Sequence, residues 1–205
     1  MAPKKVERRV PAQERSRERV ARILDAAAYE FAERGVEAAT IEAIAQRART
    51  SVGSIYQFFP NKLALYEAIG AQYLEDVRSL FGMLVHTESG LPWREVVGGA
   101  VDSFAAMHRT SVSFRAIASN IFYSRRFLDA GQAMNRELAE RAEAVFVQFA
   151  KKKLPPARRK LIATVAIETL SALLLFATEQ PRPRSDALLG EAKVVIERYL
   201  EPYLD

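Results

Sequence analysis

Apolar residues along this 205-residue chain recur every three or four positions rather than every second one, a spacing that predicts helices nearly everywhere. Val20, Ile23, Leu24, Ala27, Ala28 and Phe31 form one stripe, with Gly35 behind it as a C-terminal cap. Thr40 is placed to cap a second helix carrying Ile41, Ile44, Ala45 and Ala48. Ser51 is placed to cap a third, very short one, which must stop near Phe59 because Pro60 disfavours helical geometry in the residue before it. Asn61 then caps a long fourth helix over 62–85. After the loop HTESGL, Pro92 opens a second region with helices predicted over 92–109, 112–124 and 129–153. Pro155 and Pro156 precede a helix over 157–179, PRPR at 181–184 breaks the chain again, and Ser185 caps a last helix ending near Leu204. Neither alternating strands, an Asn-Gly hairpin nor an internal repeat appears. The expected fold is all-α, about nine helices, divided into an arm at 1–14, a three-helix unit at 15–62 and a larger helical domain at 63–205.

Composition and charge narrow this further. Residues 161–178 carry a single charge, Glu168, and reach the length of a membrane span. Glu168 sits mid-segment among Thr164, Thr169 and Ser171, and no second such segment exists, so the reading is a helix buried by neighbours, a partner subunit included. There are no cysteines, and the two histidines, His86 and His108, are far apart, so neither metal nor cofactor is expected. The N-terminus lacks the apolar stretch of a secretory signal, which places the chain in the cytoplasm. Residues 1–22 hold eight basic against three acidic side chains, a net +5 that equals the charge of the whole chain. A basic arm beside a compact domain fits either nucleic-acid binding or a solubilising tail.

The stretch TSVGSIYQFFPNK at 50–62 decides between these. Two helices joined by Arg49-Thr50 have the proportions of a helix-turn-helix, whose second helix enters the major groove and so needs an apolar back and a polar front. Ile55 and Phe59 can anchor that helix, while Ser54 and Gln57 are spaced to reach base edges, Gln being able to pair bidentately with adenine. Gly53 permits close backbone approach, and the Tyr56 hydroxyl, the Lys62 ammonium and the amides opening the fourth helix at Asn61 suit phosphates.

The run TIEAIAQRARTSVGSIYQFFPNK resembles the DNA-binding signature of the tetracycline-repressor (TetR) family of bacterial transcriptional regulators, over roughly residues 15–66. The resemblance implies phosphate contacts from Thr40, Tyr56 and Lys62 and a groove-facing set of Ser51, Val52, Ser54 and Gln57. Two positions depart from the family pattern. Arg49 stands where glycine is usual, so the turn must form without glycine's freedom or Arg49 adds a phosphate contact. Phe58, also in the expected DNA-contact set, stands where tyrosine is frequent and loses the hydroxyl that would bond a phosphate. The resemblance also implies a homodimer built from the last two helices, with Leu173 on one and Leu188, Ala192, Val195, Ile196, Tyr199 and Tyr203 on the other. Two recognition helices would then sit about 34–36 Å apart, or a multiple, to match a palindromic operator.

Between reader and seam lie bulky groups, Trp93, Phe104, Met107, Phe114, Ile117, Phe122, Phe127, Met134 and Phe176, among which the resemblance implies a pocket for a small apolar or aromatic effector; plain core is the alternative for each. His108, Asn120, Tyr123, Asn135 and Glu168 are the polar groups that could tune it, and His108 also fits as an ordinary core histidine. An effector would swing the fourth helix and release the operator, and the resemblance implies repression as the default. A catalytic set of Ser111, His108 and Asp102 fails because Asp102 and His108 fall on different faces of one helix, so no enzyme is expected.

Overall fold

The computed structural model of the chain describes residues 12–85, 91–118, 120, 124–150, 153–178 and 180–205. Among the described residues the regular structure is helical throughout: α1 Ala12–Ala38, α2 Ile41–Arg47, α3 Val52–Tyr56, α4 Lys62–Val85, α5 Trp93–Thr110, α6 Val112–Ala118, α7 Arg125–Phe149, α8 Pro156–Thr178 and α9 Arg182–Leu204. Several boundaries differ from the sequence reading: α1 already runs from Ala12, inside the expected arm at 1–14, and α7 ends at Phe149 instead of near 153. Helix α6 ends at Ala118 and α7 starts at Arg125, earlier than expected at both places. Helix α9 begins at Arg182, since proline fits a first turn whose amides have no intrahelical acceptor. Ser185 is accordingly buried within that turn and caps nothing.

Three buried clusters stack along the molecule. The first joins α1–α4 to α6 through Ile23, Phe31, Ile44, Ile55, Tyr66 and Ile117. A second gathers Val77, Phe81, Phe104, Met134, Leu138 and Leu174. The third closes the far end around Trp93, Ile162, Ala163, Ile196, Leu200 and Leu204. Tyr73 and Leu74 of α4 pack against both the first and the second cluster, so this helix is the shared wall between the N-terminal unit and the rest.

Gly35 sits at φ +77°, ψ 158° inside α1, a conformation open essentially to glycine alone, and it breaks the helix before a last short turn. The break strands backbone groups that need partners. Lys62 Nζ donates to the carbonyls of Val36, Glu37 and Ala39 at 2.8, 2.7 and 2.9 Å. The Val36 amide donates to Asn120 Oδ1 at 3.0 Å, from the chain just beyond α6. Asn120 Nδ2 in turn donates to the Ala116 carbonyl at 2.9 Å, and the Tyr66 hydroxyl of α4 donates to the Asn120 carbonyl at 2.7 Å. The ends of α1 and α6 and the start of α4 are thereby tied into one joint.

Candidate nucleic-acid interface and internal cavity

Helix α2 is closed by a paired hydrogen-bond motif: the Thr50 amide donates to Ala45 O at 3.0 Å and the Arg49 amide to Gln46 O at 3.2 Å. That motif requires a left-handed residue between them, and Arg49 supplies it at φ +52°. The turn keeps the geometry glycine would give, without glycine. Thr40 Oγ1 caps α2 by accepting from the Ala43 amide, and Ser51 Oγ caps α3 by accepting from the Ser54 amide, each at 3.1 Å. A hydroxyl that accepts in this way still has its proton to donate outward.

Helix α3 is five residues long and is oriented by Ile55, which is fully buried. Positions two residues to either side of Ile55 lie about 160° around the helix from it, so Gly53 and Gln57 occupy the outer face. Both are exposed, and Tyr56 beside them is 51% exposed. A Cβ added to Gly53 would meet nothing within 4 Å. Four expected contacts are placed otherwise. The Ser54 hydroxyl is buried, because its flank of the helix turns toward the core. Val52 and Phe58 are half-buried against the first cluster, since a helix this short needs more than Ile55 to fasten it. Lys62 has its three ammonium protons on the carbonyls that the Gly35 break exposes, so its role is to cap α1.

Thr40, Tyr56, Asn61 and Lys62 nevertheless line one shallow concavity, bordered by Glu37 and Glu42. It lies where α2 and α4 begin, and unpaired amides of a helix's first turn favour an anion. Asn61 Oδ1 takes up one of those amides, that of Ala64, at 2.9 Å. A residue the sequence reading missed holds α2 against α1: the buried Glu30 carboxylate accepts from Arg47 Nε at 2.8 Å and lies 3.4 Å from Arg34 Nε. Glu30 falls within the first helix's polar positions, so no periodicity could have singled it out.

Behind the reader, a cavity of about 440 Å³ runs between α4, α5, α6, α7, α8 and α9. Of the expected lining, Trp93, Phe104, His108, Phe114, Ile117 and Met134 border it. Met107 packs against the second cluster instead, and Phe176 points out of the molecule at 46% exposure because it lies on the outer face of α8. Phe122, Tyr123 and the side chain of Phe127 lie outside the described residues. His108 is buried, stacks on Phe114 with ring centres 3.9 Å apart and meets the Tyr73 hydroxyl at 3.0 Å through Nε2. Burial lowers its pKa to about 4, so the ring is neutral at pH 7. Asn135, Glu168 and Ser171 form a second polar group, Ser171 Oγ donating to Asn135 Oδ1 at 3.2 Å and Asn135 Nδ2 to Glu168 Oε2 at 3.0 Å. Asn120, expected near a pocket, is held in the α1–α6 joint.

The expected dimer stripe also divides. Ala192 and Ile196 are buried in their own subunit, Ile196 bordering the cavity. Leu173, Leu188, Tyr199 and Tyr203 are half-buried, and Val195 is 44% exposed. The outward apolar positions are Leu161, Val165 and Phe176 on α8 with Val194 and Val195 on α9. The inward pair was misplaced because a helix packed on both sides has apolar positions on two faces.

Comparison with known proteins matches both parts of the chain. Residues 23–69 match the family model described as bacterial regulatory proteins, tetR family, and residues 92–200 match the tetracyclin repressor-like C-terminal domain. Among curated relatives, the HTH-type transcriptional repressor KstR2 of Rhodococcus jostii (strain RHA1) is 35% identical over 96 residues, covering 46% of this chain and 41% of that protein. The crystal structure of a TetR-family transcriptional regulator from Streptomyces coelicolor superimposes with a TM-score of 0.62 at 27% identity, covering 91% of this chain and 99% of that one. The SmeT–triclosan complex has the same fold, with a TM-score of 0.70 at 21% identity over 92% of each chain.

Proposed function

Because the chain belongs to the TetR family of bacterial regulatory proteins, we propose that it is a cytoplasmic, effector-controlled transcriptional repressor that binds a palindromic operator as a homodimer. The observation that carries the DNA-reading part is the outer face of α3. Gly53 has an ordinary negative φ and open space around it, so nothing inside the protein calls for glycine there. A surface that has to lie against base pairs does call for it. Gln57 offers base edges an amide, Tyr56 offers a phosphate its hydroxyl, and the Thr40–Asn61 concavity takes a second phosphate at the starts of α2 and α4.

Control by an effector is supported by the cavity, whose volume suits a small molecule and whose wall includes α4 and α6, the two helices that also meet the reader. Filling the cavity moves the reader only to the extent that the ligand fits one arrangement of those helices better than another. The solved complex named for SmeT and triclosan is a fold relative bearing a small aromatic molecule.

Gly53→Ala tests the reading. With an operator first located by gel shift on the DNA upstream of the coding sequence, the variant is expected to keep or gain up to about 1 kcal/mol of stability, alanine being the better helix former. Its operator affinity is expected to fall at least about tenfold, since one methyl group would stand between helix and bases. Unchanged affinity would mean that α3 does not lie in a groove.

A further inference from the structure

We propose that the cavity is built for an extended aliphatic chain whose head group donates hydrogen bonds at a mouth between α7 and α8. The proposal rests on reading the cavity as an effector site and names the chemistry of its occupant. Its shape comes from the lining. Along α5 the bordering residues run from Trp93 through Val97, Ala100 and Phe104 to His108, a stretch that rises about 22 Å at helical pitch. A lining of that length admits an extended chain end to end. The floor is apolar, formed by Trp93, Phe149, Ala163, Leu200 and Leu204. Trp93 keeps its one polar atom out of the way by donating Nε1–H to Asp205 Oδ1 at 2.9 Å.

The mouth follows from exposure. The exposed side chains in the lining are Gln132 on α7 and Glu168 and Ala172 on α8. From Asn135 at this opening to Phe149 at the floor α7 rises about 21 Å, room for a long chain lying parallel to it. Polarity at the opening has a direction. Ser171 donates to Asn135 and Asn135 donates to Glu168, so the relay ends on a carboxylate that has lone pairs left to accept with. Among the described residues the lining holds no lysine or arginine. A hydroxyl, amide N–H or ammonium head is therefore accepted, whereas a carboxylate head would face Glu168 with no cation to offset it.

Trp93 is the chain's one tryptophan and stands at the floor, so its emission reports a tail that reaches the end. The experiment titrates the full-length dimer with tetradecanol, tetradecylamine, tetradecanoate, hexanol and naphthol below their aggregation concentrations, following Trp93 emission and release of operator DNA. Tetradecanol and tetradecylamine are expected to shift the emission and release the operator, hexanol to do neither, and tetradecanoate to bind at least about tenfold more weakly than the alcohol. In Glu168→Gln, an exposed site where folding is not at stake, that penalty on tetradecanoate is expected to shrink to within about threefold. Equal binding of tetradecanoate and tetradecanol to the unaltered protein would overturn the head-group assignment and with it the proposal. Naphthol acting as well as tetradecanol would overturn the chain while leaving an effector site in place. If no probe moved Trp93 emission or released the operator, the chain proposal would fail along with the effector reading.

Discussion

Arg49 adopts φ +52° where α2 ends, a conformation that costs a residue with a Cβ about 1–2 kcal/mol relative to glycine. The two hydrogen bonds that close the helix need a left-handed residue at this position, and the adjoining Ser51 cap fixes where α3 starts, so the strain is retained. Arg49→Gly is expected to raise stability by about 0.5–1 kcal/mol, less than the full relief because glycine also gains freedom in the unfolded chain. Denaturant titration with an unchanged slope would register it as a higher midpoint. Arg49 is exposed beside the proposed groove face, so the same substitution is expected to remove one phosphate contact and flatten the logarithmic salt dependence of operator affinity by about one unit. A variant that is more stable with the same salt slope would leave Arg49 a structural residue only.

At the scale of elements the joint between α1, α4 and α6 governs how the reader is held. Helix α6 carries Phe114 and Ile117 on the cavity side, and Asn120 just beyond its end accepts from the Val36 amide that the Gly35 break leaves open. Asn120→Ala orphans that amide and is expected to cost about 1–3 kcal/mol, seen as a lower melting temperature. Faster hydrogen exchange at Val36 than at core amides of α8 would localise the loss to the joint. Uniform exchange across the chain would argue that Asn120 does not act there. Helices with one apolar face, such as α2 and α5, were legible from spacing alone, and Thr40 and Ser51 were legible as caps because the bond each makes is local. The Asn120 bond spans 84 positions and the Lys62 bonds span 23 to 26, and no local pattern encodes either. For the same reason Lys62 read as a phosphate ligand: a lysine near a recognition helix has that role unless a distant helix break presents carbonyls to it. Ser54 failed differently, since in a helix of five residues one flank position turns inward and the sequence does not say which.

The whole molecule leaves a surface that a single subunit does not cover. Leu161, Val165 and Phe176 on α8 and Val194 and Val195 on α9 are between 38% and 52% exposed, on two helices that pack against each other. Under the proposed dimer this apolar face is the association site, and two copies meeting through it would form a four-helix seam with two-fold symmetry. The seam would set the two α3 helices at a fixed separation, so operator binding and dimerisation should fail together. Val195→Glu places a carboxylate where each subunit would meet its partner's apolar side chains, at a cost of several kcal/mol if it stays buried and unpaired. Sedimentation is expected to find monomers at concentrations where the unaltered protein is dimeric, with helical content by circular dichroism unchanged because Val195 touches solvent in the single subunit. Operator affinity should fall at least about a hundredfold, since each half-site would then be bound without the help of the other. Ile196→Val one position on is the contrast: that side chain is buried in its own subunit beside the cavity, so it should lower stability by about 1 kcal/mol and leave the dimer intact. A dimer that survived Val195→Glu would move the seam to another face and with it the spacing of the two readers.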